Sequence, residues 1–285
     1  MRAVQQYASD RFAAASAFLR WAGSKRQHVP LLKKFWSESY ARYVEPFAGS
    51  AALFFAIRPR RALLSDLNGE LVQVFKAVAT EPEAVSRVLT RLRPGRSSYY
   101  VVRSRRPEEM RSATRAARFI YLNRFCFNGL FRTNRTGEFN VPYGAPKTDN
   151  VPTLEQLKAC GALLRRASIV RADFRETLAR VGPGDFVYMD PPYAVSNRRV
   201  FVQYGSALFT GQDLEELGEL LTDIASRGAA FVASYADCGE ARRAFRRWPR
   251  RRVPVRRNVA GFSGARRTQY ELYATNCPGA FSEVL

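Results

Sequence analysis

The chain has 285 residues, 46% of them hydrophobic and 25% charged, the balance of an ordinary globular protein and enough for one large α/β domain or a core domain with an insert. No apolar run approaches the roughly 18 residues of a membrane span, and four scattered cysteines (Cys126, Cys160, Cys238, Cys277) with one histidine, His28, argue against a zinc centre or a histidine-activated nucleophile. Lys and Arg number 46 against 25 Asp and Glu, a net charge of +21; a G+C-rich genome would explain arginine in place of lysine but not the shortage of acids, so the balance favours nucleic acid as partner.

The stretch Met1 to Phe18 contains FAAASAF but no sustained apolar segment and no clear cleavage site, so a cytoplasmic protein is expected. SKRQHVPLLKKF (24–35) reads as a basic helical start, with His28 an exposed polar residue on it. RYVEPF (42–47) has the make-up of a buried strand and runs into the small-residue turn Ala48-Gly49-Ser50-Ala51, then the helical AALFFAI. ALLSD (62–66) is a second strand, ending on Asp66. From Val78 to Pro152 the alternation breaks: a basic, largely helical stretch precedes the loop-rich NGLFRTNRTGEFNVPYGAPKTDN. Strands resume at SIVRADF (168–174), DFVYMD (185–190), AAFVAS (229–234), RRVPV (251–255) and YELYA (270–274). Among them GQDLEELGELLTDIASRG (211–228) is a helix with acids early and Gly228 just past its end. This order predicts a doubly wound α/β sheet built from residues 1–77 and 151–285, with 78–150 as an embedded, mainly helical domain.

Two segments carry chemistry. Small residues at a strand's carboxyl end let a ligand approach the backbone, and open α/β sheets bind ligands there. The turn 48–51 is not GxGxxG, and Glu45-Pro46 before it suits a cofactor with a ribose but no pyrophosphate. Asp66, at the end of the next strand, is placed to accept from both ribose hydroxyls. Taken alone, a tight turn and a loop acid are common structural features. The second segment is Asp190-Pro191-Pro192-Tyr193. Two prolines remove two amide donors and stiffen the loop, which aims a carboxylate and backbone carbonyls at one point beside an aromatic ring. An exocyclic amine suits that point. The amine of adenine is a poor nucleophile because its lone pair is delocalised, and acceptors from Asp190 and the Pro191 carbonyl favour the pyramidal nitrogen of the transition state. Tyr193 would stack on a base taken out of the duplex. The bland alternative is a plain turn closing a strand.

The set FLRWAGSK (18–25), YVEPFAGSAALF (43–54), LLSDLN (63–68), YLNRFCFNGLFRTNRTGEFNVPYG (121–144), RADF (171–174) and MDPPY (189–193) resembles the Dam-type (D12 class) DNA adenine N6-methyltransferases. The likeness runs from Phe18 to Tyr273, with the motifs in that family's order. It implies a Rossmann-like methyltransferase sheet with an embedded target-recognition domain, S-adenosyl-L-methionine as cofactor, double-stranded DNA as substrate and no metal. Trp21 and Lys25 would close over the cofactor, Lys25 pairing with its methionine carboxylate. Glu45, Pro46, Phe47, Ala48, Gly49 and Ser50 would line it, and Asp66 would hold its ribose. Asp173 would accept from its adenine amine with Phe174 beside the ring, and Asp190 to Tyr193 would form the catalytic pocket. The bland counterparts are Trp21 as core, Lys25 as a solvated charge and Asp173 as a helix N-cap.

The same resemblance puts Arg20, Arg124, Phe127, Asn128, Leu130, Arg132, Asn134 and Pro142 on DNA. Phe127 would wedge between bases and Arg132 would read a guanine. Arg20 stands where the family often has a lysine, and Phe127 where a tyrosine is common. Arg256, Arg257, Arg266 and Arg267, in the basic run before the last strand, would meet phosphates; a solvated basic loop is the alternative. The target implied is GATC, a palindrome that suits a monomer methylating one strand per visit. Cytosine N4 methylation more typically uses a loop beginning with serine, and RNA amine methylation one beginning with asparagine; Asp190 and the insert disfavour both. A DNA-binding regulator without catalysis need not keep Asp66, Asp173 and Asp190 together.

Overall fold

Each of the seven strand-like runs forms a strand: β1 (Arg42–Glu45), β2 (Ala62–Asp66), β3 (Ala167–Arg171), β4 (Asp185–Met189), β5 (Ala230–Ala236), β6 (Arg250–Val255) and β7 (Gln269–Thr275). The computed structural model describes residues 15–134, 136–146, 148, 150–193, 209–255, 269–277, 279 and 281. Its strands make one sheet of order β3-β2-β1-β4-β5-β7-β6. β1 to β5 run parallel, with Tyr43 level with Ala62 on one side and Phe186 on the other. β7 lies antiparallel between β5 and β6. The chain winds outward from β1 to β3, crosses back to β4 and winds the other way, so its direction reverses between β1 and β4. Ligands of doubly wound sheets sit at that reversal, outside the strands' carboxyl ends.

The central strands are buried on both faces, and their side chains divide by alternation. Tyr43, Phe186, Tyr188 and Tyr273 join one apolar cluster, with helices α2 (Ala52–Ile57), α3 (Gly69–Thr80), α4 (Pro82–Leu89) and α7 (Leu154–Leu164). Val44, Val187, Met189, Phe231 and Leu272 join the other, beneath α8 (Phe174–Ala179), α9 (Gly211–Ser226) and α10 (Gly239–Ala244). Polar side chains start these helices where the orphan amides need acceptors. Asn68 accepts from the amides of Glu70 and Leu71 to open α3, and Thr210 forms a reciprocal capping box with Asp213 to open α9.

The insert holds α4, α5 (Arg96–Ser104) and α6 (Ser112–Phe125), and α6 packs on α3 and α4. Its buried Tyr99, Phe119, Tyr121 and Phe125 belong to the same cluster as Tyr43 and Phe186 of the sheet. The expected boundary at residue 77 falls inside α3, which continues to Thr80. The stretch after α6, expected as loop, folds back as a hairpin. Thr133 and Phe139 form an antiparallel bridge, and the Asn134 amide donates to the Glu138 carbonyl at 2.9 Å. A short helical stretch, a 3-10 turn at Lys25–His28 followed by α1 (Val29–Leu32), precedes β1.

Candidate active site

Four carboxyl groups stand at the carboxyl ends of four neighbouring strands: Glu45 on β1, Asp66 on β2, Asp173 after β3 and Asp190 after β4. In a chain of net charge +21, this cluster of carboxyl groups marks the crevice as a place for a ligand rich in donors, although Lys25 and Arg175 already pair with two of the four. Asp66 shapes its own surroundings. One of its oxygens accepts from the Gly49 amide at 3.0 Å and the other from the Asn68 amide at 2.9 Å, which ties the β1 turn to the end of β2. Burial raises the Asp66 carboxyl, and these two amides oppose the rise. Gly49 has φ of +47°, and a Cβ there would lie 2.9 Å from the Trp21 indole nitrogen. The turn therefore needs glycine both for its backbone and for the ring laid across it. Ser24 and Ser50 bond through their hydroxyls at 3.0 Å, holding the segment before the 3-10 turn over the same loop.

Asp190 closes β4 with its side chain 19% exposed. One of its oxygens accepts from Lys25 Nζ at 2.6 Å and from Ser234 Oγ at 3.1 Å. Burial pushes the Asp190 carboxyl up, opposed by Lys25 and Ser234 and reinforced by Glu271. Lys25 also lies 3.4 Å from Glu271 Oε1 and donates to the Tyr193 hydroxyl at 3.4 Å. Burial alone would lower its ammonium, but Asp190, Tyr193 and Glu271 outweigh that, and it stays charged. The Tyr193 hydroxyl donates to Glu271 Oε1 at 2.9 Å, and its ring meets that of Tyr235 edge-on at 5.1 Å.

Several expected site residues have partners within the protein, and His28 differs in exposure. Lys25, assigned by resemblance to a cofactor carboxylate, pairs with carboxylates of the protein itself. His28, expected exposed, is buried; its Nδ1 lies 2.5 Å from the Tyr273 hydroxyl and 3.5 Å from Glu271 Oε2. The correction has a simple cause, since the 3-10 turn packs His28 against β7 rather than presenting it to water. Asp173 caps α8, accepting from the Arg175 amide at 2.9 Å and from its guanidinium at 3.2 Å. Phe174 is 3% exposed and stacks on Phe47 at 5.4 Å. Glu45 is buried, accepts from the Tyr43 hydroxyl at 3.0 Å and is raised well above the usual range by burial. Pro46 and Ala48 are buried beside it. Sequence reasoning missed Ser234, Glu271 and Tyr273. An acid within the otherwise apolar YELYA run was the available signal.

The DNA-facing candidates gather at the far end of α6. Arg20 donates to the Arg124 carbonyl at 3.1 Å, and Asn123 bonds the Arg20 backbone in both directions, at 2.8 and 2.6 Å. Arg124 in turn donates to the Asn150 carbonyl. Phe127, 43% exposed, and Asn128 in the left-handed region form the tip. Gly129 follows with φ of +64°, and a Cβ there would strike Arg20 Cβ at 2.8 Å. Leu130 and Arg132 are partly buried, whereas Asn134 and Pro142 are exposed. Arg132 donates to Asn140 Oδ1 at 2.7 Å, and Asn134 donates to Glu138 at 2.8 Å. Arg256, Arg257, Arg266 and Arg267 lie outside the described residues. Among the described residues no group of His, Cys, Asp and Glu is arranged to hold a metal ion, and no helix is long and apolar enough to cross a membrane.

The chain is 31% identical over 268 residues to the type II methyltransferase M1.LlaDCHI of Lactococcus lactis subsp. cremoris, covering 91% of this chain and 94% of that one. It is 31% identical to a DNA adenine methylase of Vibrio cholerae serotype O1, over 94% of this chain and 98% of the relative. Against the DNA adenine methylase of Escherichia coli strain K12 the identity is 30%, over 93% and 97% respectively. The family model of the D12 class N6 adenine-specific DNA methyltransferases matches residues 21–259, a span running from the indole over the Gly49 turn, through the Asp-Pro-Pro-Tyr loop, to beyond β6. The chain belongs to the D12 class of N6 adenine-specific DNA methyltransferases.

Proposed function

We propose that this enzyme transfers the methyl group of S-adenosylmethionine to N6 of adenine within GATC of duplex DNA, working as a cytoplasmic monomer on a base turned out of the helix. The observation that carries the reading is Asp190, held at the end of β4 by Lys25 and Ser234 with the Tyr193 ring beside it. The residues suit this methyl donor. Acid side chains at adjacent strand ends offer acceptors to a donor-rich ligand, and Asp66 stands beside the Gly49 turn where a ribose would come. When bound, S-adenosylmethionine supplies an electrophilic methyl carbon on a positively charged sulfur.

The chain's own groups do the rest. Asp190 and the Pro191 carbonyl accept from the N6 amine, which pulls its lone pair out of conjugation as the N–C bond forms. A carboxylate raised by burial is a stronger hydrogen-bond acceptor than an exposed one, and in this reading Asp190 receives the proton that N6 sheds. Tyr193 stacks on the extruded base, compensating part of the unstacking cost of a few kcal/mol. Lys25 keeps Asp190 company as a fixed cation rather than moving with the reaction. For the target, the FNGLFRTN…FNVP block resembles that of family members that methylate GATC, with Arg132 suited to guanine O6 and N7. Arginine at position 20 keeps a lysine's charge but changes reach and geometry, so tolerance at the outer base pair is expected.

The test is DNA from an expressing host, mapped for N6-methyladenine and challenged with an endonuclease blocked by adenine methylation in GATC. Protected DNA with the mark at GATC supports the reading, and Asp190→Ala should abolish protection. Full cutting, with the mark at another motif, rejects the site and keeps the chemistry. A mark on cytosine N4 rejects the substrate base.

A further inference from the structure

Glu271 is the second carboxylate at Lys25, and no motif leads to it. It sits on β7, level with Ala236 of β5 and Val253 of β6, with its side chain 3% exposed. A buried carboxylate is costly unless partners surround it, and here the two oxygens have different ones. Oε1 accepts from the Tyr193 hydroxyl at 2.9 Å and lies 3.4 Å from Lys25 Nζ. Oε2 accepts from the Tyr273 hydroxyl at 3.2 Å and lies 3.5 Å from His28 Nδ1. One oxygen therefore reaches the Asp-Pro-Pro-Tyr loop and the other the body of the sheet.

The loop has need of such an anchor. Pro191 and Pro192 carry no N–H, so the backbone there cannot be tied down by donating to the neighbouring strand. The side chains of Asp190 and Tyr193 do that work instead, through Lys25, Ser234 and Glu271. Lys25 is moreover shared, nearer Asp190 at 2.6 Å than Glu271 at 3.4 Å. A second carboxylate draws part of the ammonium's charge away from Asp190, which leaves Asp190 the better acceptor for an amine.

Resting on the proposed function, we propose that Glu271 is a positioning residue for methyl transfer: it fixes the Tyr193 ring and divides Lys25 between two carboxylates. Enclosed at 3% exposure, it acts through Tyr193 and Lys25, so its loss should appear in the rate of the chemical step and not in binding. Displacements of about 1 Å at a reacting centre cost roughly 10²-fold in rate. Glu271→Ala is thus expected to slow single-turnover transfer by about 10²-fold with KM for S-adenosylmethionine and Kd for DNA within about threefold. Glu271→Gln keeps an acceptor for Tyr193 but not the charge, and should recover much of the loss. Tyr193→Phe removes the same bond from the other side, so the two substitutions should be non-additive.

The experiment measures single-turnover methyl transfer from labelled S-adenosylmethionine to a duplex that the parent enzyme modifies, for Glu271→Ala, Glu271→Gln, Tyr193→Phe and the doubles. A lowered rate with unchanged binding, partial recovery in Glu271→Gln and non-additivity with Tyr193→Phe support the inference. Should Glu271→Ala fail to fold, Tyr193→Phe decides: it keeps the ring and loses the bond to Glu271, so a lowered rate with unchanged binding supports the inference and a parent-like rate overturns it. Parent-like rates in the Glu271 variants, a loss confined to KM, or additive effects overturn it. Parent enzyme that moves no methyl group to adenine overturns the proposed function and this inference with it, whereas an active parent with indifferent Glu271 variants overturns the inference alone.

Discussion

Glu45 ends β1 fully enclosed, its carboxyl raised well above the usual range by burial, opposed by the Tyr43 hydroxyl and reinforced by Asp190 and Asp66. A carboxyl raised in the folded state stabilises the fold while protonated, and that contribution is lost as pH climbs through its folded-state value. Glu45→Gln keeps an acceptor for Tyr43 and never ionises. Its unfolding temperature should match the parent's at about pH 5 and exceed it by a widening margin toward about pH 8. Calorimetric curves that stay parallel across that range would show the carboxyl paying no burial penalty. Asp66 and Asp190 were legible because each is an acid directly after an apolar run, where sheet topology puts ligands. Glu271 was not, because its role depends on β7 slipping between β5 and β6, which no local pattern encodes. His28 was misjudged for the same reason: its partner Tyr273 is 245 residues away.

At the level of elements, much of the arginine excess is occupied within the fold. Arg227 donates to the carbonyls of Leu178, Ala179 and Val181 at the end of α8, Arg165 to Ala79 at the end of α3, and Arg118 to Val102 and Arg103 at the end of α5. The last carbonyls of a helix lack intrahelical donors, and a guanidinium supplies several at once. Arg227→Ala should destabilise the protein by about 1–3 kcal/mol with kcat unchanged, checked by denaturant unfolding beside a methylation assay. A stable variant, or a slow one, would refute the capping role. β6 shows another use: it is the sheet's outer strand, and exposed Arg250, Arg252 and Pro254 alternate along it, a pattern that discourages edge-to-edge pairing. All seven strands could be read from runs rich in Val, Ile, Tyr and Phe, several of them bounded by Gly, Pro or Asp. The hairpin at Thr133–Phe139 could not, since its arms are short and mostly polar and only the Asn134–Gly137 turn hints at it.

For the whole molecule, charge is unevenly laid out. The net is +21, yet four acids gather where the parallel strands end. Binding to duplex DNA should weaken steeply with salt, the log–log slope growing by roughly 0.9 for each phosphate neutralised. Titration at several ionic strengths measures it, and a nearly flat response would contradict the arginines' assignment to phosphates. Trp21 joins the sheet to the insert: its indole lies across Gly49 of the turn after β1 and stacks on Phe131 of the hairpin at 6.3 Å, with Arg20 beside it fastened to α6. If donor and DNA bind on either side of Trp21 as proposed, their occupancies form a single thermodynamic cycle through it. Whatever factor the methyl donor adds to the affinity for cognate DNA, DNA must add to the affinity for the donor. Phe131→Ala should shrink that shared factor toward one while leaving each ligand able to bind alone, as paired titrations of donor and DNA would measure.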